Sequence, residues 1–330
     1  MPTEQLPIPD ASADPRIDPG IRPMLAELNK DPSPFWLLPG DEVRATLAGL
    51  QATAPRDLSG VDVEEKDIEV DGVSVKLYLQ RPHGVSGDLP VILFIHGGVW
   101  IAGDFNNHQG LSRDLAVATG FAVVFVEYTP IPDAIYPTQL MQSLAALKWI
   151  GQQGAGAGLD ASRVAVVGNS VGGNLSAALS LYVKDHPDAG APAIKAQVLL
   201  FPALDSNVDT QSYQDYAVGR FLAKDFMKFG WDTYTPTDER RNEIYAAPLK
   251  ASLQQLSGLP PALVLVDEND PLRDEGIAYG RKLTEAGVET ATIEYIGLIH
   301  DWMLLNPIQQ VPSVKASFRQ VAAELAHYLR

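Results

Sequence analysis

The chain has 330 residues, 46% of them hydrophobic, which is enough for one large core with an appended subdomain or for two modest domains. It contains no cysteine, which excludes disulfides, thiolate catalysis and cysteine-ligated metals. Its 25 basic and 41 acidic residues give a net charge of −16, which disfavours binding to nucleic acid or to an anionic membrane surface.

The N-terminal region, residues 1–55, is predicted to form part of a helical cap. Its start lacks the basic and apolar segments of a secretory signal, and no apolar run in the chain reaches the roughly 20 residues of a membrane span, so we expect a cytoplasmic protein. Helical patterns cover residues 21–30 and 41–52. The apolar residues 35–38 favour docking of this region as a lid over a pocket, whereas about the first dozen residues are expected to be disordered.

Residues 56–330 show the pattern of a parallel α/β fold. Apolar residues alternate around Asp71 and Gly72, a dipeptide typical of a hairpin turn. Short apolar runs, which indicate strands buried on both faces, recur at residues 91–95, 122–126, 163–167, 196–200, 262–266 and 291–296. Helical patterns alternate with them at residues 137–150, 171–184, 274–286 and 314–329. Residues 205–247 are rich in aromatics and show no clear strand, and we interpret them as an inserted helical segment that completes the cap.

The pentapeptide Gly-Asn-Ser-Val-Gly at residues 168–172 is the main chemical signal. It lies between a predicted strand and a predicted helix, which is the context of a G-x-S-x-G nucleophile. The flanking glycines remove Cβ clashes at such a strained turn, and the helix N-terminus favours developing negative charge. We therefore predict that Ser170 is a catalytic nucleophile.

An oxyanion hole is predicted beside this serine. The sequence His-Gly-Gly-Val-Trp at residues 96–100 directly follows strand 91–95, where such enzymes supply backbone N–H donors from a loop. The glycines allow the backbone to approach a substrate oxygen. We expect the N–H groups of Gly98 and Val99 to donate, with the N–H of Val171 completing the hole.

A base and an acid complete the predicted triad. Of six histidines, His300 lies a few residues after strand 291–296, in a loop from which it can face the serine. Three acids follow strand 262–266, namely Asp267, Asp270 and Asp274. Asp270 precedes a proline that holds its turn, whereas Asp274 opens the next helix and is better explained as its N-terminal cap and dipole partner. The order Ser170, Asp270, His300 is that of the α/β-hydrolases.

These motifs resemble the hormone-sensitive-lipase-like group of α/β-hydrolase esterases. The resemblance rests on His-Gly-Gly at residues 96–98, Gly-Asn-Ser-Val-Gly-Gly-Asn at 168–174, Asp-Pro-Leu-Arg-Asp-Glu-Gly at 270–276, and on His300 followed by Trp302. It implies an α/β-hydrolase fold, with a mostly parallel eight-stranded sheet flanked by helices and a helical cap. It also implies a serine carboxylesterase that needs no cofactor, and it is compatible with a homodimer. The histidines show no paired metal-ligand spacing, so we predict no metal site.

The chain departs from this family at the oxyanion hole. Where Val99 stands the family usually has glycine or alanine, and where Val171 stands it usually has alanine. We hypothesise a narrow site that takes short-to-medium, unbranched acyl groups and disfavours esters of tertiary alcohols. Donation by Val99 is expected to require a negative φ, since a β-branched residue at positive φ is an outlier. Asn169 also replaces the acid or threonine common before the serine, and its role stays open.

Pocket residues and alternative functions complete the sequence-based predictions. Trp100, Phe221 and Trp302 are candidates to line a pocket for a small ester substrate. An amidase or deacylase would use the same triad, and a ligand-binding relative that has lost catalysis would share the fold. Rates on matched ester and amide substrates would separate the first alternative, and labelling of Ser170 by a fluorophosphonate would separate the second.

Overall fold

The structure, a computed structural model, describes residues 7–31 and 33–330 of the chain. Its strands are β1 (Val61–Val70), β2 (Val73–Pro82), β3 (Leu89–Ile95), β4 (Ala122–Glu127), β5 (Leu159–Asn169), β6 (Ile194–Leu200), β7 (Ala262–Asn269) and β8 (Thr290–Ile299). They form one eight-stranded sheet in the order β1-β2-β4-β3-β5-β6-β7-β8. β2 is antiparallel to both of its neighbours, and the other adjacent pairs are parallel. The predicted mostly parallel eight-stranded sheet is thus confirmed.

The hairpin between β1 and β2 forms where the sequence indicated it. Asp71 has φ of 53° and Gly72 has φ of 77°, the two positive values that a two-residue type I′ turn requires. Val70 pairs with Val73 across this turn. The turn therefore sets the register of the sheet's one antiparallel hairpin within the described residues.

The centre of the sheet is apolar because helices cover both faces. All seven residues of β3 are buried, and β3 pairs in parallel with β4 and β5. In a parallel sheet the carboxyl ends of the strands share one edge, and ligand sites form in the crevice there. The loops that follow β3, β5, β7 and β8 thus come together at this edge.

Helices flank the sheet and also build the N-terminal region and the inserted segment. They are α1 (Arg22–Leu28), α2 (Gly40–Gln51), α3 (Phe105–Thr119), α4 (Thr138–Gln153), α5 (Val171–Asp185), α6 (Gln211–Asp215), α7 (Lys224–Tyr234), α8 (Asp238–Arg241), α9 (Leu253–Leu256), α10 (Arg273–Glu285) and α11 (Pro312–Leu329). The six helices predicted from periodicity correspond to α1, α2, α4, α5, α10 and α11. The sequence analysis missed α3, because its buried positions include the polar residues Asn107, His108 and Ser112 and so obscure the amphipathic pattern.

The N-terminal region packs on the inserted segment. Trp36 stacks on Phe226 of α7 with ring centroids 5.4 Å apart, and the Asn29 side chain donates to the Gly219 carbonyl over 3.3 Å. Of the stretch expected to be disordered, residues 1–6 lie outside the described residues, and Ala11 is buried. No helix of the described chain combines the length and the hydropathy needed to cross a membrane.

Candidate active site

Ser170 occupies the sharp turn between β5 and α5. Its φ of 56° and ψ of −122° lie outside the regions that a non-glycine residue prefers, and its N–H donates to the Leu200 carbonyl over 2.8 Å. A Cβ atom at Gly172 would come within 2.0 Å of the Ile95 carbonyl oxygen, so only glycine allows α5 to approach β3 this closely. The strain at Ser170 is therefore built into the strand-to-helix connection.

Two hydrogen bonds join the three residues of the predicted triad. His300 Nε2 lies 3.0 Å from Ser170 Oγ, and His300 Nδ1 lies 2.7 Å from Asp270 Oδ2. The other carboxylate oxygen of Asp270 accepts from the Leu272 N–H over 2.9 Å. All three side chains are buried. The loops after β5, β7 and β8 thus bring together residues that lie far apart in the sequence.

The two competing acids occupy different environments. Asp267 is buried, and its burial, together with the neighbouring Asp270 charge, raises its pKa well above the usual range for a carboxyl. Asp274 lies in the first turn of α10, where its negative charge interacts favourably with the helix dipole. Its side chain accepts from the Ser212 N–H over 2.9 Å and makes no cap for α10, so the predicted capping role is wrong. Only Asp270 of the three contacts His300 Nδ1.

The pKa of His300 is raised above its usual value of 6.5. Burial by itself lowers this pKa, because it disfavours the charged imidazolium. The charges of Asp270 and Asp301 and the hydrogen bond that His300 Nδ1 donates to Asp270 oppose that effect and outweigh it. The site therefore stabilises an imidazolium, which is the form a base takes after it has accepted a proton.

The other two buried histidines, His96 and His108, make no hydrogen bond to Ser170 in the described chain. Burial lowers the pKa of His96 to about 4 and lowers that of His108 well below 6.5. His96 Nδ1 contacts the Gly97 carbonyl over 2.9 Å, and Tyr128 Oη donates to the His96 carbonyl over 3.0 Å. His96 is thus a neutral structural part of the loop that follows β3.

The loop of residues 96–100, which is predicted to supply oxyanion donors and is called the oxyanion loop below, adopts a strained conformation. Val99 has φ of 52° and Trp100 has φ of 58°, so Val99 does not keep the negative φ that its donation to an oxyanion was expected to require. Packing explains the difference. A Cβ atom at Gly230 of α7 would lie 2.2 Å from Val99 Cγ1, and Trp100 stacks on Tyr234 with centroids 4.1 Å apart. These contacts hold a conformation that costs a β-branched residue about 1–3 kcal/mol.

Two backbone N–H groups of this loop have no hydrogen-bond acceptor in the described chain, as a site for an anion requires. No acceptor in the described chain takes a hydrogen bond from the N–H of Gly98 or of Val99. The Gly98 carbonyl, in contrast, accepts from the N–H groups of Ile101 and Ala102. Val171 is the first residue of α5, where an N–H has no acceptor within the helix. The N–H groups of Gly98, Val99 and Val171 are thus free to bind an acceptor from outside the described chain.

The three pocket candidates occupy different places. Trp100 is buried against α7. Phe221 is half-buried at a φ of 74°. Trp302 is buried in the core, where its indole N–H donates to Ser317 of α11 over 3.0 Å and its ring contacts Phe201, which in turn contacts His300. A role in substrate binding stays a prediction for all three.

The sequence analysis missed one residue of this site, Asp301. It directly follows His300, and its Oδ2 lies 3.9 Å from His300 Nε2. Its Oδ1 accepts from the amide of Asn169, the residue that precedes Ser170, over 2.9 Å. No local pattern in the sequence connects an acid directly after the histidine with an amide directly before the serine. Among the described residues no group of three or more acidic or histidine side chains is arranged to bind a metal ion.

Comparisons with known proteins place these features in one family. The family model Abhydrolase_3, described as alpha/beta hydrolase fold, matches residues 92–304. Carboxylesterase NlhH of Mycobacterium tuberculosis is 33% identical over 294 residues, which cover 88% of this chain and 90% of that protein. Ethyl acetate hydrolase of Pseudomonas putida is 32% identical over 284 residues, which cover 83% and 86%.

A solved structure agrees with these relatives. The crystal structure of a thermostable esterase from Pseudomonas putida ECU1011 matches with a TM-score of 0.93 at 46% sequence identity, covering 97% of this chain and 99% of that one. The family match spans β3 to the loop that carries His300. The expected fold and the resemblance to hormone-sensitive-lipase-like esterases are confirmed. The chain belongs to the Abhydrolase_3 family of alpha/beta hydrolases and is a carboxylic-ester hydrolase.

Proposed function

We propose that the protein is a serine carboxylesterase acting on short-to-medium acyl esters, with Ser170 as nucleophile, His300 as base and Asp270 as the orienting acid. The observation that carries this proposal is the continuous pair of hydrogen bonds, 2.7 Å from Asp270 to His300 and 3.0 Å from His300 to Ser170. A protein that only binds ligands has no need of this arrangement. The cytoplasmic location and the homodimer stay predictions.

Acylation begins at Ser170 Oγ. His300 Nε2 accepts the hydroxyl proton as Oγ forms a bond to the ester carbonyl carbon, and the carbonyl oxygen becomes an oxyanion. Asp270 holds Nδ1–H and stabilises the imidazolium without taking the proton. The tetrahedral intermediate then collapses, the alkoxide leaves, and Nε2–H protonates it to give the alcohol and an acyl-serine.

Deacylation repeats these steps with water. His300 Nε2 removes a proton from the water as its oxygen attacks the acyl carbon, and the proton returns to Ser170 Oγ when the acid product departs. In both halves the N–H groups of Gly98, Val99 and Val171 would hold the oxyanion. For Val99 this means that its N–H donates at a positive φ, contrary to the requirement stated from the sequence. Loss of one such donor typically lowers kcat by about 10²–10³.

The cap is proposed to consist of residues 1–55 and 205–247, set on a catalytic domain of residues 56–330. Two contacts support this division: Trp36 packs on Phe226 of α7, and Val99 packs against Gly230 of the same helix. The cap thereby touches the oxyanion loop directly. We propose that it bounds the acyl and alcohol pockets, with Trp100, Phe221 and Trp302 as lining residues.

The proposed substrate range is tested with a series of p-nitrophenyl esters. Because Val99 and Val171 are bulkier than the glycine or alanine usual at these positions, we expect a narrow site. Then kcat/KM should be highest for acyl chains of about two to six carbons and fall about tenfold or more at longer chains. Matched anilides of the same acids should react more slowly than the esters. A kcat/KM that rises steadily to long chains would refute the narrow site, and faster anilide turnover would favour an amidase.

Val99 itself is tested by Val99→Gly. The change relieves the positive-φ strain and removes the side chain that packs against Gly230, so space opens between the oxyanion loop and α7. We expect kcat/KM for tert-butyl acetate, relative to ethyl acetate, to rise about tenfold. An unchanged ratio would contradict the steric role. An equal loss on both substrates would indicate a damaged oxyanion loop.

The pH dependence of kcat/KM follows from the raised pKa of His300. The base must be neutral to accept the Ser170 proton, so activity is lost as the pH falls through the folded pKa, which lies above 6.5. We expect the acid limb of the kcat/KM profile to have its midpoint above pH 6.5.

The variant Asp301→Asn should move that midpoint to lower pH, because it removes one of the charges that favour the imidazolium. A midpoint below 6.5 in the wild type would contradict this electrostatic environment.

A further inference from the structure

Asn169 makes three polar contacts through one buried amide. Its Oδ1 accepts from the Gly97 N–H over 3.0 Å, and its Nδ2 donates to Asp301 Oδ1 over 2.9 Å. The same Nδ2 lies 3.4 Å from His108 Nε2. Asn169, Asp301 and His108 are all buried, so water does not replace these contacts. The amide thus links the oxyanion loop, the loop of the catalytic histidine and α3.

The partners determine which way this amide points. A carboxylate only accepts hydrogen bonds, so Asp301 selects the Nδ2 side of Asn169. His108 Nδ1 lies 3.1 Å from the Asp104 carbonyl, which requires a hydrogen on Nδ1 and leaves Nε2 as an acceptor. Asp301 Oδ1 and His108 Nε2 therefore both accept from Asn169 Nδ2, and the amide oxygen faces the Gly97 N–H. Reversing the amide would break all three contacts.

The Gly97 N–H is the point at which this orientation affects chemistry. Gly97 directly precedes Gly98 and Val99, the proposed oxyanion donors, and the next residues have positive φ values that the loop alone does not favour. The hydrogen bond from Gly97 fixes the start of this strained stretch. A displacement of about 1 Å at a reacting centre can lower the rate about 10²-fold.

We propose that Asn169 and Asp301 act as a pair of positioning residues, in which the Asp301 carboxylate orients the Asn169 amide so that it holds the oxyanion loop through Gly97. This inference rests on the proposed function of that loop. The pair explains why an amide precedes Ser170 in this chain. The carboxylate that orients this amide belongs to Asp301, the residue after His300. Neither residue touches the substrate in this role.

A double-mutant cycle at the two positions tests the pair. Asn169→Asp sets two carboxyl groups against each other and removes the donor to Asp301, so we expect kcat to fall about 10²-fold with KM changed less than about threefold. Asp301→Asn alone should change kcat less than about fivefold, because its amide oxygen can still accept from Asn169. The variant carrying both changes restores one donor and one carboxylate, and we expect it to recover kcat to within about tenfold of the wild type.

The cycle has internal controls. His108 faces the same carboxyl oxygen at position 169 in the Asn169→Asp variant and in the double variant, so its contribution cancels in their comparison. Rates are compared on the alkaline plateau, where the shifted pKa of His300 does not affect them, and are normalised to active sites titrated with a fluorophosphonate. Asn174→Asp is the matched burial control: Asn174 is equally buried in α5, but its Nδ2 donates to the Ala246 carbonyl over 2.8 Å. Asn174→Asp should lower Tm and keep kcat within about threefold of the wild type. Adding Asp301→Asn to it should not raise kcat.

Defined results would overturn the proposal. A wild-type kcat in Asn169→Asp, or a double variant no faster than Asn169→Asp, would show that the pair does not position the loop. If the wild type hydrolyses no ester, the proposed function fails, and the pair is then tested by Tm alone. In that case the two changes must be non-additive in thermal unfolding, with the double variant melting above Asn169→Asp. Additive Tm shifts would refute the contact itself.

Discussion

Ser170→Ala should abolish ester hydrolysis, with kcat lowered about 10⁶-fold, and should leave the fold intact. The reason is that Ser170 Oγ has one hydrogen-bond partner in the described chain, His300 Nε2, so the hydroxyl contributes to the reaction and little to stability. The residual rate would come from the oxyanion donors and from binding. Hydrolysis of p-nitrophenyl acetate gives the rate, intact mass after fluorophosphonate treatment gives the adduct, and Tm reports the fold.

Ser176→Ala is the control for this substitution. Ser176 lies in α5, the helix that follows Ser170, is also buried, and donates to the Gly172 carbonyl over 2.8 Å without contacting His300. We expect it to keep kcat within about threefold and to form the fluorophosphonate adduct on Ser170. An adduct on Ser170→Ala, or a rate above about 1% of the wild type, would assign the nucleophile to another residue.

Asp270→Asn should lower kcat by about 10⁴. The carboxylate accepts from His300 Nδ1 over 2.7 Å and so keeps the hydrogen on Nδ1 and the lone pair on Nε2, facing Ser170. An amide of the same shape can donate to Nδ1 instead, which stabilises the tautomer with its hydrogen on Nε2. That tautomer cannot accept the serine proton. Because the imidazolium also loses its partner charge, the loss should be in kcat more than in KM.

Asp274→Asn separates the triad acid from its neighbour in the same motif. Asp274 accepts from the Ser212 N–H and pairs with Arg273, so its loss should lower Tm and leave kcat within about fivefold. The opposite pattern, in which Asp274→Asn is the variant that loses activity, would move the acid role to Asp274. Measuring both variants at the same pH, above the acid limb, keeps the comparison free of the His300 titration.

The strands and the candidate triad could be predicted from local patterns. Apolar runs indicated each buried strand, because a parallel sheet covered on both faces demands continuous hydrophobicity. Ser170, Asp270 and His300 each follow such a strand, so their order and their positions at strand ends were enough to bring them to one edge. The missed helix α3 shows the limit of this approach, since its core-facing side contains polar residues that pair only in the folded protein.

The finer geometry of the site depends on contacts that no local pattern records. The positive φ of Val99 is held by α7, which begins more than a hundred residues later in the chain. Asn169 and Asp301 are separated by 132 positions, and neither residue type indicates a hydrogen bond to the other. At Val99, tertiary packing overrides the local backbone preference. At Asn169 and Asp301, it sets the orientation of the side chains. Both therefore became visible only in three dimensions.

The contact between Val99 and Gly230 limits the combined size of the side chains at these two positions. A Cβ atom at position 230 would lie 2.2 Å from the valine methyl group, so a variant with alanine at position 230 has room only for a smaller residue at position 99. Substitutions at these positions are consequently non-additive. A search for variants with wider substrate acceptance should therefore randomise the two codons together, since either one changed alone samples only part of the shapes that this junction can take.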